Sequence, residues 1–243
     1  MAIVLFTDFG ANDLYAGQVE AVLDAHAPGV RVIHLLHEVP QFNARAAAHL
    51  LAALALGLPP DNVIIGVVDP GVGTERWGVI VRADRNTFVG PDNGLFSVAA
   101  ARATTRMVWR LVRHPPGASP SFHGRDVFAP VAATLATGGF PHDDAAPTAD
   151  LDVRFAADDL AEVIYIDHYG NAYTGIRARG VSHTARLVAN GCTIAHAHVF
   201  GDVPPGALFW YENSSGLVEI AANQASAATE LDLRIGQAIA WSA

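Results

Sequence analysis

Lysine is absent: all 15 basic residues of this 243-residue chain are arginines. A Schiff-base lysine, a lysine-anchored pyridoxal phosphate and a Gly-Lys-Ser/Thr phosphate loop are therefore excluded. The single cysteine, Cys192, excludes an intrachain disulfide and a cysteine-built zinc site, and fits a cytoplasmic protein. Charged residues make up only 16%, too few for a disordered chain. The net charge of −9 offers no basic face to track phosphates, so nucleic acid is not an expected partner. No apolar run is long enough to span a bilayer. The longest, 44–58, is broken by Arg45 and His49, so no membrane association is expected. Residues 1–6 lack the charged and long apolar regions of a signal peptide and read as a first buried strand.

Apolar residues, at 51%, are ample for a core. Through about residue 140 short β-branched runs alternate with helical spacing. Strands are expected at 2–6, 31–36, 63–68, 78–83, 87–89 and 107–112. Helices are expected at 14–26, at 44–57 behind an Asn43 cap, near 95–101, and at 126–137 before Gly138-Gly139. The alternation predicts an α/β domain over 1–145, with a Rossmann-like, mostly parallel sheet and helices on both faces. The acidic, proline-containing stretch 146–159 reads as a linker. Residues 160–243 follow as short strands separated by Gly, Asn and Pro turns, which predicts a small C-terminal β-barrel.

Three loops at strand ends carry the chemistry. Thr7-Asp8-Phe9-Gly10 closes the first strand, where a carboxylate suits either a ribose diol or an Asx-turn. Asp69 and Arg76 flank Pro70-Gly71-Val72-Gly73, as a pair aimed at a ligand or as an ion pair fixing the loop. Phe122-His123-Gly124-Arg125-Asp126 sets a histidine beside a glycine, which leaves room for a ligand and supplies a base near neutral pH. A structural histidine would look the same. Arg125 and Asp126 also suit a helix start. In the C-terminal half, Asp167 to Asn171 and Asn213-Ser214-Ser215-Gly216 are ordinary turn signals, although asparagine also matches an adenine edge.

Taken in order with Gly90-Pro91-Asp92-Asn93-Gly94, these motifs resemble the adenosine-forming S-adenosyl-L-methionine hydrolases, relatives of the fluorinase and chlorinase enzymes. The resemblance covers essentially the whole chain. It implies an α/β domain followed by a small β-barrel, and a homotrimer with active sites between subunits. It assigns catalysis to Asp69, Arg76 and His123, and the ribose grip to Asp8. Gly124 belongs to the same substrate loop. Asp167 and Ser214 would meet the methionine end, Asn171 and Phe200 the adenine, and Phe42 would form a lid over the ribose. Halogenating relatives carry tyrosine where His123 stands. His168-Tyr169-Gly170-Asn171 stands where Arg-Phe-Gly-Asn is common, and Val199-Phe200-Gly201 where Thr-Tyr-Ala is common.

The implied reaction is attack of water at ribose C5′, giving adenosine and L-methionine. No cofactor and no metal are expected. The sulfonium leaves as a neutral thioether, so the work lies in positioning the water and removing its proton, by Asp69 or His123 with Arg76 in support. Competing readings are a metal-dependent hydrolase using Asp8, Asp69, Asp92, His123 and Asp126, a non-catalytic adenosine or S-adenosylmethionine binder, and a halogenase.

Overall fold

The computed structural model describes residues 1–242. The chain divides into two compact units, Met1–Ala157 and a second that begins at Asp158. In the first unit a seven-stranded sheet runs in the order β2-β1-β3-β5-β4-β6-β7. Its strands are β1 (Ile3–Thr7), β2 (Val32–Leu36), β3 (Val63–Val67), β4 (Gly78–Ala83), β5 (Asn86–Pro91), β6 (Arg106–Leu111) and β7 (Ala145–Thr148). The helices are α1 (Leu14–His26), α2 (Ala44–Leu56), α3 (Ser97–Arg102) and α4 (Ala129–Ala136). Asp13 and Asn43 cap α1 and α2 by accepting from backbone N–H groups, as short polar side chains do at N-caps.

The sheet is mixed rather than mostly parallel. Strands β2, β1, β3 and β5 pair in parallel, whereas β4, β6 and β7 add antiparallel ladders. Connection length explains the change. Only two residues, Asp84 and Arg85, join β4 to β5, and a parallel crossover needs a dozen or more. Part of the stretch expected as a linker is ordered. Residues 145–148 form edge strand β7, and Asp150 and Asp152 then pair with Arg106 and Arg110 of β6.

Helices cover both faces. Alternate residues Ile3, Leu5, Val63 and Ile65 pack with Val19 and Leu23 of α1 and Ala129, Ala132 and Ala133 of α4. On the opposite face, Gly66 and Gly90 lie under Leu95 and Phe96, which lead into α3, and α3 packs against Ala48 and Ala52 of α2. No helix among the described residues is long and apolar enough to cross a membrane.

The second unit holds β8 (Leu160–Ile166), β9 (Ala172–Arg177), β10 (Leu187–Ala189), β11 (Cys192–Ile194), β12 (Leu208–Glu212), β13 (Leu217–Ala222), β14 (Ala240–Trp241) and the short helix α5 (Ala227–Glu230). Its strands make two sheets, β12-β13-β9-β8 and β11-β10-β14. Among the described residues no closed barrel forms. Closure needs a continuous ladder around the ring, and here single bridges, Glu162 to Ala238 and His196 to Trp210, stand in place of ladders. One core, including Val163, Leu187, Trp210 and Ile220, is nevertheless shared by both sheets.

A Cβ on Gly90 would collide with the Gly66 carbonyl oxygen and the Phe96 ring. Gly90→Ala is therefore expected to lower the unfolding free energy by about 3 kcal/mol. Urea denaturation measures this, and an unchanged midpoint would contradict the close approach of β3 and β5.

Candidate functional site

The site in the first unit is built at the C-terminal ends of parallel strands, where α/β sheets place their ligands. In the β1–β3 ladder Thr7 lies beside Val67, and the Asp8 N–H donates to the Val67 carbonyl at 3.1 Å. Asp8 and Asp69 thus emerge from adjacent strands. Both line a cavity of 80 Å³ with Phe9, Phe122, His123 and Gly124. That is room for a water molecule, which needs ~10–15 Å³.

Asp69 is nearly buried, with its side chain 6% exposed, and its Oδ1 accepts from Arg76 Nη1 at 2.5 Å and from the Gly71 N–H at 3.1 Å. Both donors bond the same oxygen of Asp69. Gly71 has a definite task here, because the Arg76 guanidinium lies where a Cβ would stand. Behind the loop, Asn93 Nδ2 donates to the Val68 carbonyl at 2.6 Å and anchors the strand end. Arg76 does not line the cavity wall and acts on it through Asp69.

Burial pushes the Asp8 carboxyl above the usual carboxylate range, and the nearby Asp69 charge pushes it further. Backbone N–H groups, that of Phe42 among them, oppose the shift. Phe42 reaches this position with φ 59°, a left-handed conformation that a bulky residue seldom adopts. Its ring is 75% exposed, so in the isolated chain it covers nothing.

His123 opens a helical segment whose first turn is π-helical, Gly124–Phe128, continuing into α4. Such wide turns recur at functional sites. The imidazole is buried and packs edge-on against His114 at 4.8 Å between ring centroids. Burial first, and then His114, hold its pKa below the ordinary 6.5, against the pull of Asp69 and Asp126. The ring is therefore neutral near pH 7, with a lone pair to accept a proton. Gly124 keeps the wall thin, since a Cβ there would press on Phe9.

Arg125 and Asp126 are structural. They pair through two contacts, Arg125 Nη1 donates to Gln18 of α1, and Asp126 accepts from the Ser119 N–H. Asp92 accepts from the Asp152 N–H with Oδ2, while its buried Oδ1 has no partner in the fold. Asp8, Asp69, Asp92, His123 and Asp126 do not converge as a cluster with metal-ligand spacing among the described residues.

The second unit separates the remaining candidates. Asp167, Asn171 and Phe200 line a hollow of 690 Å³ with Tyr173, Tyr211 and Glu219. Asp167 accepts from the N–H groups of Tyr169 and Asn171 and from Asn171 Nδ2. Buried Asn171 Oδ1 has no partner in the fold, as expected of a group kept for a ligand. Ser214 lines a different hollow. Sequence reading missed His114, Tyr173, Tyr211 and Glu219, and named Phe9 and Phe122 only as parts of motifs. Glu219 alone left a signal, one acid inside the apolar run 217–222. Burial raises its pKa, and Tyr211 and Asn213 donate to its two oxygens.

Residues 3–144 match the model of the SAM hydroxide adenosyltransferase N-terminal domain, and 161–240 that of the C-terminal domain. The chain belongs to the SAM hydroxide adenosyltransferase family. Within it, the chain is 37% identical to the (R)-S-adenosyl-L-methionine hydrolase of Thermus thermophilus, with 98% of each chain covered. It is 38% identical to the enzyme of that name from Salinispora arenicola, over 95% of this chain and 93% of the relative. A crystal structure of an uncharacterized conserved protein from Thermotoga maritima superposes with a TM-score of 0.89 at 31% identity, covering 99% of this chain and 100% of the other.

In this family member the Arg76 guanidinium is the flexible end of a side chain and moves aside for a Cβ. Gly71→Ala is expected to break the Asp69–Arg76 contact while changing stability by less than about 0.5 kcal/mol. A crystal structure together with a denaturation curve tests both halves. An intact contact in the variant would remove Gly71 from this role.

Proposed function

We propose that this chain hydrolyses S-adenosyl-L-methionine at ribose C5′, giving adenosine and L-methionine. The observation that carries this is one small cavity lined by Asp8, Asp69 and His123, with Arg76 fixed on Asp69. The names of the Thermus and Salinispora relatives support the same reaction. S-adenosyl-L-methionine is the substrate, and the proposal needs no cofactor and no metal.

In this reading Asp69 Oδ2 holds the attacking water and His123 accepts its proton. The water oxygen bonds to C5′, the C5′–S bond breaks, and its electron pair stays on sulfur as a neutral thioether. The proton on His123 then passes to solvent. Asp8 grips the ribose hydroxyls, and the cationic sulfonium relieves the repulsion between Asp8 and Asp69. The parallel strands β2-β1-β3-β5 serve as a Rossmann-like platform for the nucleoside. Asp167, Asn171 and Phe200 take adenine and methionine contacts, and Ser214 meets the methionine end. Phe42 closes over the ribose. A homotrimer with sites shared between subunits and a small barrel-like C-terminal domain belong to the same proposal. What supports the sharing is that Asp69 and His123 line one hollow and Asn171 another, each within its own unit.

The deciding experiment is chromatography of the purified protein incubated with S-adenosyl-L-methionine, with and without a chelator. Equal adenosine and methionine in both arms are expected. Loss with the chelator would favour a metal-dependent hydrolase, and bound substrate without turnover a sensor.

His123→Ala is expected to lower kcat on the order of 10²-fold with KM nearly unchanged. In the native protein the acid limb of kcat/KM should fall below pH 6.5, because the lowered His123 pKa delays protonation. Unchanged turnover in the variant would remove His123 as the base.

A further inference from the structure

In the second unit three histidines gather in the hollow that Ser214 also lines, and no step of the proposed reaction uses them. Nitrogen atoms of His183, His196 and His198 all lie within 4.8 Å of one another. The geometry points to a binding site for a divalent transition-metal ion of the zinc type, held by these three imidazoles.

Its construction follows from the fold. His196 and His198 flank Ala197, whose side chain is buried against Phe209 and Ala221. In an extended segment residues two apart share a face, so both imidazoles project outward. The segment is held beside β12 by Ala197 N–H to Trp210 O and Trp210 N–H to Ala195 O. His183 arrives from a separate turn. The Ala185 N–H donates to the Ser182 carbonyl, and Trp210 Nε1 donates to the Ala185 carbonyl at 3.0 Å. The same indole lies against His196, at 4.6 Å between centroids. Trp210 thereby registers the turn on the strand, and His183 stacks on His196 at 4.1 Å.

Three imidazoles this close repel one another if protonated. The donor set is all nitrogen, which suits zinc and its neighbours and not calcium or magnesium. Tetrahedral zinc with Zn–N bonds of ~2.0–2.1 Å draws its donors closer together than this cluster holds them. His183 and His196 stack nearly parallel, at 7°, so the exposed His183 must turn out of the stack for both in-plane lone pairs to reach one ion. Glu212 and Ser214 line the same 370 Å³ hollow and carry oxygen atoms that could serve a fourth position. Cys192 is not needed.

The test is calorimetric titration of metal-free protein with zinc chloride, repeated with His183→Ala and His198→Ala. Both side chains are exposed, and circular dichroism confirms that the variants fold. One equivalent of zinc is expected in the native protein, with affinity falling at least about 10-fold in each variant. An anomalous-scattering peak among the three rings would locate the ion. No saturable binding, or binding that both variants leave unchanged, overturns the proposal. Neither readout depends on turnover.

Discussion

Parallel pairing of β1 with β3 is the constraint on which the site depends. With Thr7 beside Val67, adjacent strands release Asp8 and Asp69 at one sheet edge. A slip of one residue between them would turn one of the two carboxylates to the opposite face. The pairing also brings two carboxylates together at a partly buried edge, and the cost appears in the raised Asp8 pKa. Arg76 offsets part of it by holding Asp69. The arrangement suits a cationic substrate, because a positive charge placed there is welcomed by both acids.

The backbone around this edge is arranged for close approach. Gly66 and Gly90 let Phe96 settle on the sheet, Gly71 lets a guanidinium lie across the loop, and Gly124 thins the cavity wall. The π-helical turn after His123 sets the ring into that wall, while Arg125 and Asp126 tie the turn to α1 and to the loop at Ser119. In the run Phe122-His123-Gly124-Arg125-Asp126 the first three residues line the cavity and the last two brace the turn. The second unit follows a different logic. One hollow is aromatic with a buried acid, and the other is ringed by histidine.

Much of this was legible in the chain. The alternation of apolar runs located β1, β3 and α2 with its Asn43 cap, because strand and helix periods are local. Asp8 and Asp69 stood out because they end apolar runs near glycine, Arg76 because it flanks the Pro70-Gly71-Val72-Gly73 loop with Asp69, and His123 because it stands in a loop beside Gly124. The antiparallel half of the sheet was not legible, since pairing partners are distant in sequence. Residues 145–148 looked like linker because Pro147 and the acids around it suggest a loop. They form an edge strand, where proline is tolerated and arginines of β6 receive the acids.

The sequence by itself determined the absence of lysine and disulfide chemistry, the position of most elements, and the order of motifs that places the chain in its family. Those properties are local or compositional. Only the tertiary structure decided which polar residues share a cavity, that Asp126 braces the turn with Arg125, and that Ser214 lines a hollow apart from Asp167. It alone brought His183 to His196. Those outcomes turn on strand register and on contacts such as Trp210 to Ala185, which join residues far apart in the chain and leave no trace in local spacing.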